Sequence, residues 1–341
     1  MQRKTVTFTA PGRVEIRRDP LPSPGAGEVL VETLCSAISP GTEMLVYRGQ
    51  FPKGLPVDEC FPGMDGPFAY PLAYGYACVG VVRETGKQVD RSWRDRLVFA
   101  FQPHTSHFVA KTKSLLSIPY SLPPETAVFL PNMETAVNLA QDAAPILGER
   151  VLVFGQGIIG LLTAALLTEF PLASLVTSDL LPLRRAASSS LGVTASLDPA
   201  APGFQQQAGE LLPGGADLTI EVSGSTSALD AALALTRFSG RVVVGSWYGQ
   251  KSVALDLGGT FHRSRIRLIS SQVSTIAPEL SARWDKSRRF EVAWEALARL
   301  RPEKWITHRI PLDDAEKAYR LLDENPQETI QIIFTPDSKI S

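Results

Sequence analysis

Three glycines in this chain have the spacing that handles phosphate. Gly155, Gly157 and Gly160 follow the apolar run Val151-Leu152-Val153-Phe154 and precede an Ala- and Leu-rich stretch that reaches Leu167. Set between a buried strand and the start of a helix, the pattern G-x-G-x-x-G gives each glycine a separate task. The first makes a tight turn, the second admits a pyrophosphate against the backbone, and the third packs helix on strand. Gln156, Ile158 and Ile159 belong to the same cradle. A second apolar strand at 173–178 ends in Asp179, about twenty residues beyond the glycines, where a carboxylate would hydrogen-bond an adenosine ribose 2′-hydroxyl. The implied guest is a dinucleotide, NAD or NADP. Asp179 favours NAD, because its charge repels a 2′-phosphate. Arg184 and Arg185 follow shortly and work against that preference, although by themselves they read as a solvated helix face. Gly245, Ser246 and Ser271 fall at the ends of later strands, where ligands of open parallel sheets gather.

Other chemistry is sparse. His104-x-x-His107 is the one metal-like pair, without a third ligand nearby in sequence, and reads as two surface or rim histidines. Cys35, Cys60 and Cys78 are too few and scattered for a disulfide framework, which fits a reducing, cytoplasmic setting. A formal net charge of −1 gives no global field to attract nucleic acid or an anionic membrane. Hydrophobic residues make up 44% and charged residues 20%, the balance of a globular protein that buries a core, and no stretch approaches about 18 uninterrupted apolar residues. The start of the chain alternates apolar with polar and lacks the apolar core of a signal peptide.

At 341 residues the chain is long enough for two domains. Its first third is mostly β: alternation around Pro11-Gly12 predicts a hairpin over 4–17, and further strands are expected near 29–31, 77–82, 97–101 and 108–110. Residues 36–49 read as a loop leading into a short helical turn. Residues 51–70, rich in Pro and Gly, read as a loop lining the substrate site or excursing from it. Composition changes at Leu122. A helix opened by Pro123-Pro124-Glu125 and a second one running toward Leu147 lead into alternating strands and helices, the pattern of a parallel, doubly wound sheet. After residue 276 come a helix at 290–300, a helix at 312–322 opened by Asp313 and Glu316 in a capping-box relation, and a last strand at 330–334 able to rejoin the first sheet. Arg283, Lys286, Arg288 and Arg289 read as a solvated face.

With these pieces in place the chain resembles the medium-chain dehydrogenase/reductase superfamily, also called the zinc-type alcohol dehydrogenase superfamily. The carriers are the opening hairpin, Pro71-Leu72-Ala73-Tyr74-Gly75-Tyr76, Asp95-Arg96-Leu97-Val98, the glycine turn, Gly215-Ala216-Asp217 and the closing Ile310-Pro311-Leu312. Ser39-Pro40-Gly41-Thr42-Glu43, His262-Arg263-Ser264-Arg265 and Ser270-Ser271-Gln272 look closest to its bacteriochlorophyllide dehydrogenase branch, which suggests a bulky substrate. The resemblance implies an α/β protein: a GroES-like, mostly-β catalytic domain from residues 1–121 and 277–341, with a Rossmann domain inserted at 122–276. It also implies an active site in the cleft between them and a homodimer formed at the edge strand near 266–273.

Zinc-dependent relatives place ligands at three positions. Here those positions hold Pro40 or Ser39, Tyr76 and, at the third, Glu134 as the one ionisable candidate. Catalytic zinc takes three ligands from Cys, His, Asp and Glu, so none is expected, and the four Cys of a structural zinc lobe are missing. The resemblance then assigns proton work to Thr42 and Tyr76, with packing as the alternative for Tyr76. It makes Thr135 a nicotinamide contact, Glu43 a loop anchor and Tyr47 a packing residue. The expected activity is zinc-independent, NAD(P)-dependent hydride transfer to or from a carbonyl or secondary alcohol of a small molecule. A quinone or enoyl reductase, or a dinucleotide-binding protein without catalysis, are the alternatives.

Overall fold

A computed structural model describes residues 2–52 and 68–336, so most of the loop expected over 51–70, and Cys60 within it, lies outside the described residues. Packing divides the chain into two units, Met1–Pro131 with Leu297–Ser341, and Asn132–Ala296. The expected boundaries, 121/122 and 276/277, fall earlier than this division. The difference has side-chain causes on both sides. Glu125 and Thr126 bond Arg309 and Glu303 of the first unit, and Arg289 bonds Glu134 and Asn138 of the second.

The first unit begins with β1 (Gln2–Ala10), β2 (Arg13–Pro20), β3 (Glu28–Ala37), α1 (Pro40–Tyr47), β4 (Leu72–Ala73) and β5 (Cys78–Thr85). It continues with β6 (Leu97–Ala100), β7 (His107–Lys111), β8 (Leu116–Ser117) and the single turn α2 (Pro124–Ala127). β1 and β2 form the predicted hairpin, with Val6, Phe8 and Val14 buried on its inner face. Period-two alternation thus delivers one apolar face to the core. α1 is a full eight-residue helix where a single turn was expected, opened by Pro40 at its start, a position that needs no N–H. Its residues Glu43 to Tyr47 are buried.

The second unit contains α3 (Leu130–Ala143), β9 (Arg150–Phe154), α4 (Ile158–Leu167), β10 (Ser174–Ser178), α5 (Pro182–Ser189) and β11 (Ala195–Leu197). Then come α6 (Phe204–Leu211), β12 (Ala216–Glu221), α7 (Thr226–Leu235), β13 (Thr236–Val244), β14 (Arg267–Ser270) and α8 (Lys286–Leu300). Its six strands are all parallel, in the order β11-β10-β9-β12-β13-β14. The order reverses between β9 and β12, the switch point at which a crevice opens above the carboxyl ends of the strands. β9 is buried almost throughout, as a strand covered on both faces must be.

α3 stops at Ala143 and not near Leu147, because Ala144 takes φ +43° and the following Pro145 disfavours helical backbone before it. β11 and α6, short and weakly periodic, went unpredicted.

The chain returns to the first unit as β15 (Ile306–Pro311), α9 (Ala315–Glu324) and β16 (Gln331–Thr335). As expected, the last strand rejoins the first sheet: Phe334 pairs with Ser36 of β3, and β15 lies parallel beyond it. The capping box predicted for α9 is not made. Asp314 occupies the cap position without a side-chain bond, while Asp313 is drawn off by Lys4 at 2.6 Å and Arg18 at 3.1 Å.

Candidate functional site

In the second unit the three glycines differ in why they are glycine. Gly155 has φ +90°, and a Cβ there would lie 2.7 Å from backbone atoms of Ser223 on the neighbouring loop. A Cβ on Gly160 would lie 1.8 Å from the carbonyl oxygen of Gly155. The fold itself therefore demands both. Gly157 is at φ −65°, and its Cβ would meet nothing nearer than Arg184 Nη1 at 3.7 Å. It is also the cap residue of α4, and no side chain caps that helix. A ten-residue helix with no side-chain cap at its N-terminus, beside an open backbone, can accept an anion.

Asp179 stands beside this turn as predicted. Its Oδ2 accepts the Gln156 N–H at 2.6 Å and its Oδ1 the Leu181 N–H at 2.8 Å, which locks the carboxylate between the ends of β9 and β10. The two arginines are not the solvated face expected. Arg185 donates to the carbonyls of Asp179 and Leu180 and pairs with Asp198 at 3.1 Å. Arg184 is half-buried next to Gly157. Burial lowers its pKa, and the charge of Asp179 opposes that fall. Pro182 opens α5, and both arginines are half-buried near its start.

Farther along the strand ends, Gly245 packs beneath Leu139, whose Cδ2 would lie 2.6 Å from an added Cβ. Ser246 Oγ accepts the Gly224 N–H at 2.8 Å. Ser271 Oγ donates to Asp142 at 2.6 Å and accepts from Asn138 at 2.9 Å, so this side chain is engaged by α3. Burial raises the Asp142 pKa, and the bonds from Ser271 and Asn138 moderate the rise. Thr135 is half-buried on α3. Sequence reasoning missed Glu221, fully buried at the end of β12, which accepts the Ser223 N–H at 2.6 Å and the Tyr248 hydroxyl at 2.6 Å. Burial and this carboxylate push the Tyr248 phenol up.

Glu134 is the one ionisable residue at the third of the positions where zinc-dependent relatives place ligands. It is buried and ion-paired to Lys286 and to Arg289, the latter at 3.1 Å. Arg289 itself, expected on a solvated face, is 0% exposed. The helical stripe Arg289, Ala293, Ala296 and Leu297 is buried, and the charge pattern of α8 hides that Arg289 belongs to it.

In the first unit, Tyr76 Oη donates to Ser39 Oγ at 2.5 Å. Both are half-buried, as is Thr42 in the first turn of α1. Tyr76 is thus joined to Ser39 and not to Thr42. Glu43 anchors the loop as expected: its Oε1 accepts the Ser39 N–H at 2.7 Å, and its Oε2 binds His104 Nε2 at 3.0 Å and the Tyr319 hydroxyl at 2.5 Å. His104 Nδ1 reaches Ser36 Oγ at 2.8 Å. Ser36, Glu43, His104 and Tyr319 are all buried, so His104 is a core residue where a surface or rim histidine was expected. Gly75 is the reason the ring fits: an added Cβ would lie 2.7 Å from it. Burial holds the neighbouring Cys78 thiol up at about 12, so it is no nucleophile. Tyr47 packs on Tyr319 with ring centroids 5.7 Å apart. Among the described residues, no three His, Cys, Asp or Glu side chains gather as metal ligands, and no helix is long and apolar enough to cross a membrane.

Comparison with known proteins points one way. Residues 159–290 match the family of zinc-binding dehydrogenases. The chain is 24% identical to an uncharacterized zinc-type alcohol dehydrogenase-like protein of Escherichia coli, over 95% of this chain and 96% of that one. A short-chain alcohol dehydrogenase of Escherichia coli, solved with NADH, superposes with a TM-score of 0.78 at 18% identity, covering 98% of this chain and 99% of its own. A putative zinc-binding dehydrogenase of Sinorhizobium meliloti, solved with NADP, gives 0.77 at 20% identity, covering 98% and 100%.

Proposed function

We infer that this chain, which belongs to the medium-chain dehydrogenase/reductase superfamily, is a nicotinamide-dependent oxidoreductase that moves hydride to or from a carbonyl or secondary alcohol without zinc. The observation that carries the reading is Gly157. Its neighbours Gly155 and Gly160 are glycine because the protein leaves no room, whereas the room at Gly157 is left for a guest. The uncapped end of α4 and Asp179 at the end of β10 supply the partners of a pyrophosphate and a ribose.

When bound, the nicotinamide supplies the hydride acceptor or donor. This chain's residues hold it and manage the proton. The Asp179 carboxylate, held between two backbone N–H groups, favours a ribose hydroxyl over a 2′-phosphate, hence NAD over NADP. Tyr76 Oη donates to Ser39 Oγ, so when the phenol gives its proton to a developing substrate alkoxide the Ser39 hydroxyl can turn and donate a hydrogen bond to the phenolate left behind. Thr42, in the first turn of α1, is the second hydroxyl able to serve. Glu43 holds the Ser39 backbone and keeps this pair in place.

Zinc does not fit the positions where relatives bind it. Ser39 and Tyr76 offer neutral hydroxyls already bonded to each other, and the Glu134 carboxylate is neutralised by two cations. None of these competes for zinc with the thiolate and imidazole donors of functional sites.

Fluorescence titration with NADH and NADPH, followed by turnover of a panel of aldehydes, ketones, quinones and enones, tests the assignment. Saturable NADH binding with carbonyl reduction is expected. Turnover of quinones or enones alone would move the reaction class. Tight binding without turnover of any of them would make the chain a dinucleotide-binding protein.

A further inference from the structure

A dinucleotide on a doubly wound sheet spans both sides of the switch point. Asp179, at the end of β10, marks the side of one ribose, so the other nucleotide half crosses the carboxyl ends of β12, β13 and β14. The chain leaves β14 through Ser271-Gln272-Val273-Ser274-Thr275, and this loop is fixed from behind. Arg289 Nη2 donates to the carbonyl of Val273, and its Nη1 donates to that of Thr275 at 3.1 Å and to Asn138 Oδ1. Its Nε donates to Glu134 at 3.2 Å, and Lys286 adds a second bond to the Val273 carbonyl at 3.1 Å.

We propose that Arg289 is a positioning residue for the nicotinamide half of the cofactor, shaping the loop at 271–275 through its two carbonyls. This rests on the nucleotide reading above. A fully buried guanidinium is costly, and apolar residues of like volume commonly stabilise a core as well or better, so bulk stability does not explain it. What a planar fork of five donors supplies is fixed geometry at several acceptors at once. Lys at this position keeps the charge beside Glu134 but cannot span both carbonyls.

The test compares NADH with ADP-ribose, which lacks nicotinamide, by calorimetric titration of the full chain. For Arg289→Lys, NADH should bind about tenfold more weakly and ADP-ribose within about twofold of wild type, a selective loss of about 1.4 kcal/mol. Lys286→Met, a milder change at a part-exposed side chain, should shift the same ratio in the same direction by about threefold, and it carries the test if Arg289→Lys does not fold. An unchanged ratio in the variants that fold overturns the positioning role while leaving the nucleotide reading intact. A wild-type protein that binds neither ligand overturns both.

Discussion

Gly157→Ala separates a glycine kept for a ligand from glycines kept for the fold. The added Cβ meets only Arg184 Nη1 at 3.7 Å, an ordinary contact, and the backbone at φ −65° suits alanine. Two small effects oppose each other in the free protein. Alanine is a poorer cap than glycine, but it restricts the unfolded chain. The net change should stay within about 1 kcal/mol, or roughly 2–4 °C in Tm for a domain of this size. In the complex the methyl occupies the space through which a pyrophosphate approaches the backbone. Overpacking of that kind costs about 1–3 kcal/mol, which weakens NADH binding roughly 5- to 150-fold. Gly160→Ala gives the reverse profile. Its Cβ would lie 1.8 Å from the Gly155 carbonyl oxygen, so the turn must shift and the free protein should lose several kcal/mol, on the scale of severe core strain of about 3 kcal/mol or more. Thermal melting with and without saturating NADH, together with titration, reads both quantities. Wild-type NADH affinity in Gly157→Ala would refute the reasoning, since the open space would then not be the pyrophosphate cradle.

Tyr76→Phe removes the donor to Ser39; kcat should fall about 100-fold or more while NADH affinity holds, as steady-state and binding measurements together would show. Asp179→Ala should narrow the preference for NADH over NADPH, and equal discrimination before and after would mean that Asp179 does not set it. Glu43→Ala strands His104, Tyr319 and the Ser39 N–H without their acceptor; a loss of about 3–5 kcal/mol in denaturant unfolding is expected, and a loss under about 1 kcal/mol would discount the network. Asp142 has a raised folded pKa, chiefly from burial, so its ionisation opposes folding. Its favourable contribution is full below the unfolded pKa and is lost as pH rises through the folded one. Asp142→Asn should therefore raise Tm at neutral pH, with the gain shrinking toward acid. A Tm difference that grows toward acid would contradict that sign.

Much of this protein was written locally in its sequence. The hairpin, the alternation of strands and helices, the glycine turn and Asp179 depend on periodicities and spacings within about twenty residues, and the turn needs only that a strand precede it and a helix follow. The strand that rejoins the first sheet was legible for the same reason, through the β-branched run of residues 330–334. What stayed hidden is where charges find their partners. The Glu134–Arg289 pair spans 155 residues and the Glu43–Tyr319 bond 276, so no local pattern distinguishes Arg289 from the exposed Arg288 beside it. The same holds for Asp313, which its sequence neighbours marked as a helix cap and which two distant cations claimed instead. Spacing alone also treated the three glycines of the turn alike. Only the packed structure shows that Gly155 and Gly160 are held by backbone atoms of neighbouring residues while Gly157 faces open space, because steric exclusion is a property of what surrounds a residue and not of the residue itself.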